Sequence, residues 1–365
     1  MYLQTLSVLN FKNYAEAELS FSARINCFSG NNGEGKTNLL DAIHYLSFCK
    51  SFFNPIDSQN IRHEETFFMI QGVFQRNEER EEVYCAQKRN YKKQFKRNKK
   101  EYTRLADHIG LFPVVMISPA DADLISEGSE SRRKFMDSVI SQYNRNYLDD
   151  LINYNKALSQ RNALLKRFAE SRSFDKESLE VWNDQLMSYG NKIFLERKSF
   201  INAFIPTFQQ YYELISGGKE KVSLEYISQL NSVDFEELLA NALSKDKVLQ
   251  HSTSGIHKDD LQFGIEKFPV KKFASQGQQK SYLIALKLAQ FDFIKKIKNT
   301  APILLLDDIH DRLDELRVQQ LMDLVSSEQF GQVFITDTNA SKIEALFKGK
   351  KAALKMFHIK NGMVS

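Results

Sequence analysis

The stretch Gly30-Asn31-Asn32-Gly33-Glu34-Gly35-Lys36-Thr37 decides how this chain is read. A glycine opens it, and a glycine, a lysine and a hydroxyl residue close it at fixed spacing. That is the pattern of a loop that wraps phosphates in consecutive backbone N–H groups. Before it, Ile25-Asn26-Cys27-Phe28 predicts a strand; after it, Leu39, Leu40, Ile43, Leu46 and Phe48 recur at helical spacing over residues 37–48. Strand, glycine turn and helix in that order bring curled amides and the positive end of a helix dipole to one point. The residues expected to hold ATP are Gly30, Asn31, Asn32, Gly33, Glu34, Gly35, Lys36, Thr37 and Asn38. Lys36 is placed to meet the β and γ phosphates, and the Thr37 hydroxyl to ligate Mg²⁺.

A divalent ion beside a triphosphate needs an acidic partner, and Ile303-Leu304-Leu305-Leu306-Asp307-Asp308 supplies one at the end of an apolar strand. Asp307 is expected to hold the ion, directly or through water. Asp308 is placed to orient the attacking water or take its proton, so the catalytic set is Lys36, Asp307 and Asp308. The competing reading makes Asp308 a cap of the following helix.

Outward from these motifs, residues 3–28 predict a small N-terminal sheet and residues 67–104 further strands. A long helix over 131–169 and a second over 176–204, ending ahead of Pro206, are expected to form an antiparallel pair. After a break at Gly217-Gly218 and a strand over 221–227, α/β order returns. The pattern there predicts a helix over 276–296, a strand over 303–306, a helix over 314–326 and a strand over 332–336. The expected organisation is an α/β ATPase lobe made from 1–105 and 251–365, with a mainly helical lobe over 106–250.

The chain has 365 residues, 42% of them apolar, enough to bury the cores of two lobes. A net charge of +4 is too mild to identify a nucleic-acid partner, so the distribution matters more. Residues 88–104 carry nine Lys or Arg against the single acid Glu101, interleaved with Tyr91, Phe95 and Tyr102. This segment is either a solvated hairpin or a DNA-backbone contact through Lys92, Lys93, Lys96 and Arg97. Arg132, Arg133 and Lys134 form a second basic group at a helix start, where cations oppose the dipole and so answer to DNA or to an acidic partner surface. Cys27, Cys49 and Cys85 lack metal-ligand spacing and read as small core residues. With no signal sequence and no run of membrane-spanning length, a cytoplasmic protein is expected.

Kinases and GTPases share the phosphate loop and the acidic strand, so a third feature is needed. Ser275-Gln276-Gly277-Gln278-Gln279-Lys280 read alone is a helix cap, but its place shortly before the acidic strand makes it resemble the signature of ABC ATPases. By that resemblance Ser275, Gln276, Gly277 and Gln278 form a second phosphate surface that meets ATP held by another copy, giving a head-to-tail homodimer. The long separation between phosphate loop and signature points to the chromosome-maintenance relatives, and the helices are too short for an SMC coiled coil.

Within that group the chain resembles the RecF family. The resemblance is carried by Leu9-Asn10-Phe11-Lys12-Asn13-Tyr14, by Ile117-Ser118-Pro119 with Arg132-Arg133-Lys134-Phe135-Met136-Asp137, and by Gly255-Ile256-His257-Lys258-Asp259-Asp260-Leu261. It implies an α/β ABC-type P-loop ATPase head with an inserted helical lobe, ATP-driven dimerisation, and binding of double- and single-stranded DNA at gap junctions. It also implies slow DNA-stimulated hydrolysis, work with RecO and RecR in loading recombinase, and no membrane. The alternative is an ABC-type module driving a non-DNA partner, such as a defence effector or transporter. Three places depart from the family's pattern. Asp311-Arg312-Leu313-Asp314 stands for its Ser-x-Leu-Asp loop, Asp337 stands where many ABC ATPases have a switch histidine, and Phe53 follows Ser51-Phe52 where a basic residue is common. Asp308 is one methylene shorter than the glutamate usual in ABC ATPases, which implies slow turnover.

Overall fold

The computed structural model describes residues 1–218, 220–308, 315–349 and 353–365. The loop Asp311-Arg312-Leu313-Asp314 lies outside them. The chain divides into two compact units. One is Met1–Ala122 with Leu214–Gly218 and Gln276–Ser365; the other is Asp123–Glu213 with Lys219–Ser275.

The first unit holds two six-stranded sheets. One is antiparallel, in the order Tyr14–Ser20, Tyr2–Phe11, Phe67–Arg76, Glu79–Lys88, Gln94–Arg97 and Lys100–Glu101. The other runs Met363–Val364, Leu354–Lys360, Ile25–Ser29, Val333–Asp337, Ile303–Leu306 and Val114–Ile117, parallel except for its two-residue edge. The N-terminal sheet expected over 3–28 is thus split. Residues 2–20 make a hairpin of the antiparallel sheet, whereas Ile25–Ser29, buried at every position, pairs with strands from the far end of the chain. Gln332 joins the two sheets, exchanging hydrogen bonds with the Leu3 backbone at 2.7 and 2.8 Å. The helix Lys36–Phe48 is buried at ten of its thirteen positions and shares one apolar cluster with residues of both sheets. Its buried set includes Lys36, Asp41, His44 and Ser47 as well as apolar residues, so polar partners are needed inside it.

In the parallel sheet Ile25–Ser29 and Ile303–Leu306 flank Val333–Asp337, with Asp337 level with Ser29 and Ile335 level with Leu306. The phosphate loop, Thr336 and Asp307 therefore meet at the carboxyl ends of three adjacent parallel strands, the usual place for a ligand in such sheets.

The second unit contains the helices Ser129–Tyr143, Arg145–Ser171, Lys176–Ser216 as far as Glu213, and Phe235–Leu249, and a small sheet of Val222–Ile227, Asp260–Ile265 and Phe268–Pro269. The single helix expected over 131–169 is two. Asn144, extended at φ −116°, ψ 102°, ends the first helix and caps the second by accepting from Tyr147 N at 3.0 Å. The next helix passes through Pro206 instead of stopping before it. Phe200, Phe204, Phe208 and Tyr212 bury a continuous i, i+4 stripe that outweighs the one backbone bond proline forfeits. The lobe limits expected at 105 and 250 fall at 122 and 275, because Val114–Ile117 is an edge strand of the parallel sheet and Asp260–Ile265 pairs with Val222–Ile227.

Ion pairs lock this unit. Arg161 and Asp246, both fully buried, meet at 2.6 Å. The Gly255–Leu261 segment is held by Arg197, whose guanidinium is 1% exposed and reaches Asp137 at 2.9 Å, Asp259 at 3.1 Å and the Ile256 carbonyl at 2.9 Å. His257 Nε2 donates to the Ser252 carbonyl at 3.1 Å, and Nδ1 accepts from the Tyr154 hydroxyl at 2.9 Å. Burial lowers its pKa to about 4, so the imidazole is neutral near pH 7. Arg197→Ala is expected to destabilise this unit by about 3–5 kcal/mol, because it strands the buried Asp259 carboxylate. Urea denaturation followed by helical circular dichroism would read this, and an unchanged midpoint would refute it.

Candidate active site

Gly30 begins the loop at φ 154°, and a Cβ there would lie 2.2 Å from the Ile359 carbonyl oxygen, so only glycine lets the loop leave its strand beside Leu354–Lys360. Lys36, 4% exposed, folds back so that its ammonium donates to the carbonyls of Gly30 at 2.7 Å and Asn31 at 2.9 Å. A buried cation is thereby held over the loop with donor capacity to spare for a phosphate. The Lys36–Phe48 helix starts from Gly35, and no side chain caps it, which leaves its first amides to an anion.

Thr37 and Asp307, 270 residues apart in the chain, meet with the threonine hydroxyl donating to Asp307 Oδ1 at 2.9 Å. Thr336 donates to the same oxygen at 2.8 Å, and its hydroxyl accepts the Asp308 amide at 2.9 Å. Asp308 has φ 46°, a left-handed conformation that bends the chain immediately after the buried strand. Thr336 was missed in the sequence, where it reads only as the last residue of a strand. A hydroxyl at the carboxyl end of a neighbouring parallel strand was the available signal. Asp337 Oδ1 accepts the Asn339 amide at 2.6 Å and its carbonyl accepts Gly30 N at 3.3 Å, so it braces the turn and the loop root.

Burial, reinforced by Asp308, raises the Asp307 carboxyl to about 6, against the opposing hydrogen bonds of Thr336 and Thr37. Between the ordinary carboxylate value and about 6 the folded chain binds the extra proton, so stability falls as pH rises through that window. Asp307→Asn removes this cost and is expected to raise the melting temperature of the nucleotide-free chain by roughly 2–5 °C near pH 8, with no gain near pH 4. A pH series of calorimetric scans tests this; equal melting temperatures near pH 8 would contradict it. Among the described residues no three His, Cys, Asp or Glu side chains converge to hold a metal alone. The paired Thr37 and Asp307 oxygens are hard donors suited to Mg²⁺, with a nucleotide completing the set.

Ser275 and Gln276 are exposed, and Gly277 and Gln278 half-buried, at the start of the helix Gln276–Lys298. Farther along, the helix is anchored by Lys287, paired with Asp121 at 2.7 Å.

The basic residues divide by what they touch. Lys93 is only 11% exposed and spends its ammonium on Asp57 at 2.7 Å and the Cys49 carbonyl at 2.6 Å. Arg97 pairs with the buried Glu81 at 2.5 Å, and Phe95 is core. Arg132 grips Asp260 through two bonds of 2.7 and 3.0 Å, and Arg133 donates to the Asp259 carbonyl at 2.6 Å. The helix-start arginines thus answer to the chain's own 259–260 segment. All four cations are tied internally, each to an acid or carbonyl that sequence does not place beside it. Lys92, Lys99 and Lys100 remain exposed, and Lys96 half-buried over the Tyr84 ring at 5.6 Å.

The model of the RecF/RecN/SMC N-terminal domain family matches residues 2–365. The DNA replication and repair protein RecF of Phocaeicola vulgatus is 55% identical over all of this chain and 98% of its own length, and that of Flavobacterium johnsoniae 52% over 98% and 100%. A solved structure of the recombination mediator protein RecF with ATP, in the RecFOR pathway, superposes with TM-score 0.90 at 29% identity, covering 100% of this chain and 97% of that one. An SMC head bound to the C-terminal winged helix of ScpA shares the fold at TM-score 0.59 and 16% identity, covering 100% and 97%. The architecture is that of an ABC-type ATPase head with an inserted helical lobe, and the chain belongs to the RecF family.

Proposed function

We propose that this chain is an ATP-dependent DNA-binding protein of recombinational repair and replication-gap processing, which dimerises on ATP and hydrolyses it slowly with DNA as stimulus. The observation that carries the reading is the junction of Lys36, Thr37, Asp307 and Asp308 at the carboxyl ends of adjacent parallel strands, in a chain similar over its full length to RecF proteins. Lys36 and the loop amides bind the phosphates, Thr37 and Asp307 hold Mg²⁺, and Asp308 orients the attacking water and takes its proton. The ion would neutralise charge developing on the phosphate oxygens. Ser275-Gln276-Gly277-Gln278 supplies the second phosphate surface to a partner copy, so homodimerisation and ATP binding are linked. RecO and RecR are the expected protein partners and the cytoplasm the expected compartment. Among the described residues no helix is long and apolar enough to cross a membrane.

DNA is met through backbone phosphates by the free part of the basic hairpin. Changing Lys92, Lys96, Lys99 and Lys100 to Glu is expected to weaken DNA binding and reduce the salt slope by about 3. Fluorescence anisotropy across a salt series, with and without ATP, measures both. An unchanged affinity and slope would move the DNA surface elsewhere, and equal binding without ATP would remove the nucleotide switch from the reading.

A further inference from the structure

The back of the phosphate loop is held by two consecutive side chains at the turn between Tyr2–Phe11 and Tyr14–Ser20. Asn13 Nδ2 donates to the Glu34 carbonyl at 2.8 Å, and the Tyr14 hydroxyl donates to the next carbonyl, that of Gly35, at 3.1 Å. Asn13 Oδ1 accepts from Asn38 Nδ2 at 2.8 Å, so the amide has one orientation that satisfies both neighbours. The Glu34 carbonyl also accepts Gly362 N at 3.3 Å. Asn13 packs so close that a Cβ on Gly35, at φ 114°, would lie 2.4 Å from its amide nitrogen.

A trans peptide is planar, with its N–H directed opposite its C=O. Pinning the Glu34 carbonyl toward the hairpin therefore aims the Gly35 N–H the other way, into the loop. The Gly35 carbonyl also accepts the Asn38 and Leu39 amides at 3.0 and 3.3 Å as the helix begins, and the Tyr14 hydroxyl holds it further, with the Lys36 N–H opposite it. We propose that Asn13 and Tyr14 are positioning residues for nucleotide binding, which orient two phosphate-binding amides before ATP arrives. The inference rests on the reading of residues 30–37 as the ATP site. Donors already aimed need no reorganisation on binding, so the two side chains act on affinity rather than on the chemical step.

The test uses the full chain as Asn13→Ala, Tyr14→Phe and Lys36→Met, with ATP and ADP titrated calorimetrically. Each hairpin variant is expected to raise the Kd for both nucleotides about five- to tenfold. KM should rise more than kcat falls, and the nucleotide-free melting temperature should stay within about 3 °C. Kd values within twofold of the unaltered chain, or a loss of affinity that only tracks a loss of apo stability, would overturn the positioning role. If Lys36→Met loses ATP while both hairpin variants keep it, that role alone fails. If Lys36→Met binds ATP as the unaltered chain does, the ATP-site reading fails and takes the positioning role with it.

Discussion

Lys36→Met is expected to weaken ATP binding by about 30- to 5000-fold, the range for removing one member of a buried charge pair, about 2–5 kcal/mol. The side chain is 4% exposed and its ammonium is fixed by two loop carbonyls at 2.7 and 2.9 Å, so its charge is built into the loop. Methionine keeps the length and apolar stem, which limits the damage to the charge. Calorimetric titration gives the affinity, and light scattering with ATP and Mg²⁺ gives the mass. The unaltered chain is expected to double its mass with ATP and the variant to stay monomeric in every condition. A variant that binds ATP within threefold of the unaltered chain would sink the phosphate-loop assignment. A chain that binds ATP but never changes mass would leave the loop intact and remove the role given to Ser275–Gln278.

Asp308→Asn separates binding from chemistry. The carboxylate that would take the proton is replaced by an isosteric amide that cannot, and the neighbouring bond from the Asp308 amide to Thr336 at 2.9 Å is kept. Hydrolysis is expected to fall about 10²- to 10⁴-fold, the usual contribution of a general base, while ATP affinity changes less than threefold. ATP-driven dimerisation should persist, and the dimer should last longer because hydrolysis no longer resets it. Single-turnover hydrolysis beside equilibrium titration makes the comparison. Unchanged turnover would mean that Asp308 only shapes the turn after the strand, as its left-handed backbone already does.

The phosphate loop, its helix and the acidic strand were legible because each is local: a glycine pattern, a 3.6-residue period and an apolar run ending in two acids need no distant partner. Gly217-Gly218 and the strand after it were legible for the same reason. The long helices were read in outline and misjudged at two joints. Asn144 looks like any polar helix residue until its backbone turns extended, and Pro206 looks like a stop until the aromatic stripe beyond it is seen to be buried.

Charge was where sequence reading reached least far. Lys92 and Lys93 are neighbours of the same type, yet one is exposed and the other is held by Asp57, an acid in a separate segment. Arg132 and Arg133 likewise end on Asp259 and Asp260, more than a hundred residues away in the chain. Thr336 entered the site only because its strand lies between those of the phosphate loop and of Asp307. The sequence alone determined which chemistry this protein has, since phosphate-binding amides, a lysine, a hydroxyl and paired acids are each set by residue type and short spacing. Tertiary structure alone decided which cations stay exposed, which second threonine hydrogen-bonds to Asp307 and what holds the loop in shape. Ion pairs and cross-strand hydrogen bonds depend on which distant segments the fold brings within about 3 Å, and no local period records that.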